Sequence, residues 1–180
     1  IWAAGGEILE WRGIARSRGK GQVDLGQFDQ PEAVDYATGC CLLIRSEVLR
    51  KVGLLDEKYF AYFEDTDWCL RARKAGFQIC YEPSSVIWHV AGASSRQETK
   101  SKRSGESNPL LYYLSTRNNL WFIRCHTKGI TRVVALISFI IRRLLLRSAK
   151  QILFGRWENF RSLWKGAYHG FQGDACAPVF

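Results

Sequence analysis

The chain of 180 residues contains no methionine, although it has seven tryptophans. Its six cysteines, Cys40, Cys41, Cys69, Cys80, Cys125 and Cys176, form no CxxC pair and no Cys/His set with zinc-ligand spacing, which argues against a structural zinc site. Buried, reduced thiols are the expectation, as in a cytosolic compartment. The glycine-rich basic stretch Arg12–Gly26 lacks the GxxxxGK[ST] pattern, so it is not a P-loop and is expected to be a mobile surface loop, with a phosphate or acceptor contact as the lesser alternative. No charge-free apolar run approaches the ~20 residues of a membrane-spanning helix; the longest near the C-terminus is Val133–Ile141. There is no internal repeat, no secretory leader pattern and no initiating methionine, and the chain is expected to be a piece of a longer protein.

What is present is unevenly charged. Residues 1–95 carry 11 basic and 13 acidic side chains, whereas residues 96–180 carry 15 and 4, which together give the formal net charge of +9. A basic half suggests an anionic partner such as nucleic acid, a membrane surface or a phosphate-bearing substrate. Its cations alternate with long aliphatic runs and no nucleic-acid motif is visible, so nucleic acid is not expected.

The most informative stretch is Tyr59–Gly76, YFAYFEDTDWCLRARKAG. Glu64, Asp65 and Asp67 follow an aromatic run and open a helix expected from about Asp65 to Ala75, stopped by Gly76. First-turn carboxylates accept free helix N–H groups and suit the helix dipole, which explains one or two of the three. A carboxylate on rigid backbone beside aromatic rings also suits a general base.

The remaining chain reads in order. Ile1–Trp11 suggests strand, turn and strand around Gly5-Gly6. Val34–Arg45 becomes continuously apolar after Gly39 and is expected to be a central buried strand, followed by a short helix with Ser46 as N-cap and Gly53 as its stop. Phe77–Glu82 and Val86–Val90 are further strands, and His89 closes the second. Gln97–Asn108 reads as a linker, Pro109–His126 as a helix, and Asp174–Phe180 as a frayed tail. In Ile130–Phe154, Arg132, Arg143, Arg147 and Lys150 fall within about 60° on a helical wheel while the other faces are aliphatic. Trp121, Phe122, Phe154, Trp157, Phe160 and Trp164 flank them. The pattern fits a helix lying in an anionic membrane interface, or an ordinary amphipathic helix packed on a domain.

The run GCCLLIRSEVLRKVGLLDEKYFAYFEDTDWCLRARKAGFQICYEPSSVIWHVAGASS, Gly39–Ser95, closely resembles the C-terminal half of the catalytic domain of family 2 inverting glycosyltransferases, especially rhamnosyltransferase-like ones. Weaker likeness extends through IWAAGGEI and YYLSTRNNLWFIR. The resemblance implies an α/β fold, here a partial GT-A (Rossmann-like) sheet half followed by C-terminal amphipathic helices. It implies three regions: 1–95 as the acceptor side of the catalytic domain, 96–108 as linker, and 109–180 as a basic helical membrane-associating region.

By matching position, Asp65 is the implied catalytic base. Thr38 and Gly39 would line the acceptor pocket, and Glu64 and Asp67 would orient the acceptor or pair with Arg71 or Arg73. His89 would help bind a divalent cation, Mg²⁺ or Mn²⁺. The nucleotide-sugar donor would bind a preceding half bearing a DxD motif, which is not in this chain; DTD at 65–67 lies in the later, acceptor-side block. The implied acceptor is a glycan or lipid-linked glycan of cell-surface polysaccharide synthesis, and the implied location is the inner face of the cell membrane, peripherally bound. Without a donor half the chain is expected to show no transfer activity of its own. The alternative is a non-catalytic carbohydrate-binding or membrane-associated module.

Overall fold

A computed structural model of the chain describes residues 1–90 and 108–173. It divides into two compact units, one built from Ile1–Leu9 and Ile14–His89, the other from Glu10–Gly13 and the described part of Val90–Cys176. Residues 96–107 of the expected linker and the tail Asp174–Phe180 lie outside the described residues.

The first unit is mixed α/β with two small antiparallel sheets. Strands β1 (Gly6–Leu9) and β2 (Ile14–Ser17) pair with Gly6 opposite Ser17. Strands β3 (Glu32–Val34) and β4 (Ile79–Tyr81) pair with Glu32 opposite Tyr81. A bridge from Gly6 to Tyr36 ties the first sheet to the segment after β3. Residue 6 must be glycine there, because a Cβ would run into the buried Tyr36 ring.

Several expected strands are not formed. Arg12–Gly26 is not wholly a loop, since it contains β2. Val34–Arg45 is not a central strand: β3 ends at Val34, Gly39–Cys41 make one 3-10 turn, and Leu43 is 99% exposed. Val86–Val90 pairs with nothing among the described residues, and Trp88 is 97% exposed. Apolar composition favours a strand, but a ladder needs a hydrogen-bonded neighbour, and these segments have none there.

The helices of this unit follow their stop signals. Helix α1 (Ser46–Val52) has Arg45 as its cap, with Ser46 already helical, and ends at Gly53, whose φ of 84° is left-handed. Helix α2 (Glu64–Lys74) is buried from Thr66 through Ala72. The Trp68 indole N–H donates to the Gly53 carbonyl at 2.8 Å, fixing α2 against the end of α1. Trp68, Tyr59, Leu70, Cys69 and Ala72 are fully buried at this core. The expected burial of thiols holds for Cys69 alone among these elements; Cys40, Cys41 and Cys80 are exposed and free.

The second unit is helical. Helix α3 (Pro109–His126) opens as expected, with the Asn108 side chain accepting the Leu110 N–H at 2.9 Å and proline in the first turn. Helix α4 (Gly129–Phe139) continues through a π-helical segment, Ile140–Leu145, into α5 (Leu146–Leu153), and α6 (Trp157–Gln172) follows. Leu120, Ile123, Ala135, Phe139, Leu144, Leu163 and Ala167 form its core. Gly166 lets α6 lie directly on α3, since a Cβ there would collide with the Tyr113 carbonyl. Arg124 donates to the Gly170, Phe171 and Gly173 carbonyls at 2.7, 3.0 and 2.9 Å, satisfying the end of α6.

The basic stripe expected on 130–154 is divided. Arg132 donates to the Thr127 and Arg124 carbonyls at 2.8 and 2.9 Å, and Arg143 to Ser115 Oγ at 3.3 Å, so both turn toward α3 and its C-terminal end. Arg147 and Lys150 are exposed, as are Ile130, Val133, Ile137, Ile141 and Leu145. The π segment is the physical reason, because its wider turn breaks the 100° spacing on which the stripe was drawn. No helix among the described residues is long and apolar enough to cross a membrane.

Candidate functional site

The acidic block is presented by a strained turn. Phe60, Tyr62 and Phe63 have φ of 63°, 69° and 75° without being glycine, and Phe63 is the residue on which α2 begins. Non-glycine residues in this region cost about 1–3 kcal/mol each and cluster at functional sites, where the surrounding fold enforces them. The buried Trp68 and Tyr59 on either side supply that enforcement.

The three carboxylates have different surroundings. Asp67 is buried: its Oδ2 accepts from Arg71 Nε at 2.8 Å and its Oδ1 from the Tyr59 hydroxyl at 3.3 Å. Arg71 is equally buried and spends its other nitrogens on the Val52 and Leu54 carbonyls, both at 2.9 Å. Of the two roles held open for Asp67, pairing with Arg71 is the one the geometry contains. This pair locks α2 to the end of α1, whereas Arg73 pairs with Asp35 at 2.9 Å.

Asp65 is half-buried and faces the 3-10 turn. Its Oδ2 accepts the Gly39 N–H at 2.9 Å, and its Oδ1 accepts the Thr66 N–H at 2.6 Å and the Thr66 hydroxyl at 3.1 Å. These donors fix the carboxylate while leaving lone pairs on it, since an ionised carboxylate offers about four acceptor positions. Glu64 differs again: its Oε2 is buried without a hydrogen-bond partner. Burial pushes the Glu64 carboxyl above its ordinary range, and the neighbouring Asp65 charge adds to the rise. Two adjacent carboxylates are thus held in unlike environments, an arrangement suited to proton handling.

Thr38 and Gly39 stand beside Asp65, joined to it through the Gly39 N–H, and the Thr38 hydroxyl lies 3.2 Å from Cys40 Sγ. His89 is not joined to this group. It is exposed, packs edge-on against the Trp2 ring with centroids 4.8 Å apart, and has no hydrogen bond or ion pair to the other candidates. Among the described residues no group of three or more His, Cys, Asp or Glu side chains is placed to hold a metal ion. Among the described residues His89 would therefore be a single ligand, and these residues do not fit a metal centre by themselves.

Sequence reasoning missed Tyr36. This residue is buried close enough to Asp65 for their charges to interact, with its hydroxyl 3.3 Å from Ser17 Oγ, and burial raises its pKa. No local signal marked it. The left-handed aromatics were equally invisible, because glycine is the residue that usually announces that backbone region.

Residues 19–105 match the family described as Glycosyltransferase like family 2. Over 121 residues the chain is 31% identical to an N-acetylglucosaminyl-diphospho-decaprenol L-rhamnosyltransferase of Mycobacterium tuberculosis, a match covering 66% of this chain and 38% of the relative. It is 36% identical over 63 residues to Rhamnosyltransferase WbbL of Escherichia coli, covering 35% of this chain and 24% of the relative. It is 32% identical over 78 residues to the dTDP-rhamnosyl transferase RfbF of Shigella flexneri, covering 43% and 26%. No solved structure matches the chain. The chain thus spans 38% or less of the length of these relatives. Thr38, Gly39, Glu64, Asp65, Asp67 and His89 all fall inside the matched segment, over which the chain is similar to rhamnosyltransferase-like proteins of glycosyltransferase family 2.

Proposed function

We propose that the chain supplies the acceptor side of an inverting glycosyltransferase, whose nucleotide-sugar donor binds a part of the whole protein outside these residues. The observation that carries this reading is Asp65, a half-buried carboxylate pinned by Gly39 and Thr66 at the mouth of a strained turn. An acceptor hydroxyl is a weak nucleophile at neutral pH. Asp65 takes its proton as the oxygen attacks the anomeric carbon, the bond to the diphosphate breaks, and the configuration inverts. Glu64, with its unpartnered buried oxygen, receives a hydrogen bond from the acceptor and orients it. Thr38 and Gly39 wall the pocket, and Asp67 acts one step back by holding α2 through Arg71.

A divalent cation, Mg²⁺ or Mn²⁺, belongs in this reading with the donor, where it would neutralise the departing diphosphate; His89 is at most one of its ligands. The exposed apolar segments around Leu43 and Trp88 suit coverage by the remainder of the catalytic domain. The acceptor is a lipid-linked glycan at the inner face of the membrane, a class suggested by the decaprenol-linked substrate in the name of the mycobacterial relative. The exposed aliphatic face of α4 and the π segment, rimmed by Arg147 and Lys150, would dock there. Binding to liposomes should rise with anionic lipid content and fall with salt; indifference to both would remove the membrane from the proposal.

The test of the chemistry is Asp65→Asn in the whole protein. Transfer should fall by about 10² or more while donor binding persists. Near wild-type turnover would eliminate Asp65 as the base.

A further inference from the structure

Among the described residues, the second unit holds cations that no carboxylate pairs with. Arg142, Arg143 and Arg147 lie together where the π segment passes α3. Arg143 is half-buried and has one side-chain partner, Ser115 Oγ at 3.3 Å. One terminal nitrogen of Arg142, Nη1, is buried with no acceptor at all. No carboxylate pairs with any of the three among the described residues.

The three charges act on one another. Burial pushes the Arg143 pKa down to about 9, and the adjacent Arg147 and Arg142 charges push it further the same way. Arg147, though exposed along its length, is lowered too, first by partial desolvation, with Tyr112 opposing and Arg142 adding to the fall. The fold thus keeps like charges close together, with Arg142 and Arg143 partly withdrawn from water and Arg147 at the exposed edge. Guanidinium groups massed without a counter-ion are suited to an anion with several oxygens, because each presents a planar fork of donors. The hydroxyls of Ser115 and Tyr112 stand on the neighbouring turn of α3. Ile141, Leu145 and Leu146 are exposed beside the cluster, offering apolar surface at its edge. A π turn is itself a feature that gathers at functional sites.

We propose that Arg142, Arg143 and Arg147, with Ser115 and Tyr112, form a binding site for a diphosphate carried on a lipid tail, the tail lying along Ile141, Leu145 and Leu146. The site rests on the lipid-linked acceptor of the proposed function and gives that acceptor's phosphates a place on this chain. It is separate in residues and chemistry from the Asp65 group.

The test is calorimetric binding of farnesyl diphosphate, in detergent below its micellar concentration, and of inorganic pyrophosphate to the full chain. Farnesyl diphosphate should bind about tenfold or more tighter than pyrophosphate, because the tail adds apolar burial. Arg142→Gln and Arg143→Gln should each weaken binding about tenfold. Arg147→Gln, at an exposed position that spares the fold, should do so as well, with an unchanged circular dichroism melt as its control. Asp65→Asn should leave binding untouched, so an inactive base and an absent anion site are told apart. Equal affinity for the two probes would overturn the lipid-linked ligand in favour of a free diphosphate. No binding by the wild-type chain, or binding indifferent to all three arginine substitutions, would overturn the site.

Discussion

The two units treat charge in opposite ways. In the first, buried charge is matched: Asp67 and Arg71 are both nearly inaccessible, yet every side is occupied, by each other, by Tyr59 and by the Val52 and Leu54 carbonyls. In the second, the described residues carry twelve lysines and arginines against two carboxylates, Glu10 and Glu158. Its arginines are met by backbone carbonyls, as Arg124 and Arg132 are, or left with little, as Arg142 and Arg143 are. Matched charge holds a fold together, while unmatched charge has to be held by it. Within α2 the same contrast separates neighbours: Asp67 is consumed by structure, while Glu64 keeps a buried oxygen without a partner.

The largest effect should come from breaking the matched pair. Asp67→Ala leaves Arg71 buried without its counter-charge and should destabilise the first unit by about 3–5 kcal/mol in denaturant titration. A loss below about 1 kcal/mol would show that the pair is not the lock it resembles.

A middling effect should come from the second unit, whose cohesion rests on close helix contact. Gly166→Ala drives a methyl into the Tyr113 carbonyl and should cost about 1–3 kcal/mol by separating α6 from α3. A silent substitution would mean that the α3–α6 approach is not tight.

The smallest effect should come from Glu64→Gln. The folded-state pKa of Glu64 is raised, so the folded protein holds this proton more tightly than the unfolded chain does, and ionisation works against folding. That penalty is absent at pH well below the ordinary glutamate range and accumulates as pH rises through it. Glu64→Gln should therefore melt slightly higher than wild type at neutral pH, by about 1 kcal/mol or less, with the difference vanishing in acid. A constant difference across pH would reassign the effect to packing.

Parts of this arrangement were legible in the sequence because local rules and tertiary structure agree there. Pro109 marked the start of α3, and Gly53 and Gly76 marked the ends of α1 and α2, since a first-turn proline and left-handed stops are local chemistry. The acidic block at 64–67 was visible, but its division of labour was not, because pairing Asp67 with Arg71 and leaving Glu64 alone depends on which side of α2 meets α1. Leu43 and Trp88 misled for a related reason: strand pairing is non-local, and apolar composition does not reveal whether a neighbour exists. The π segment had no sequence mark, so a stripe drawn at 100° placed Arg132 and Arg143 on one outward face.

The most direct measurement compares Asp65→Asn with Asp67→Asn in the whole protein, reading thermal melting and sugar transfer on the same samples. If the carboxylate without an ion-pair partner carries function and the ion-paired one carries the fold, Asp65→Asn melts near wild type and loses about 10² or more in transfer, while Asp67→Asn melts well below wild type. Retained transfer in Asp65→Asn, or equal falls in melting for both substitutions, would contradict that division.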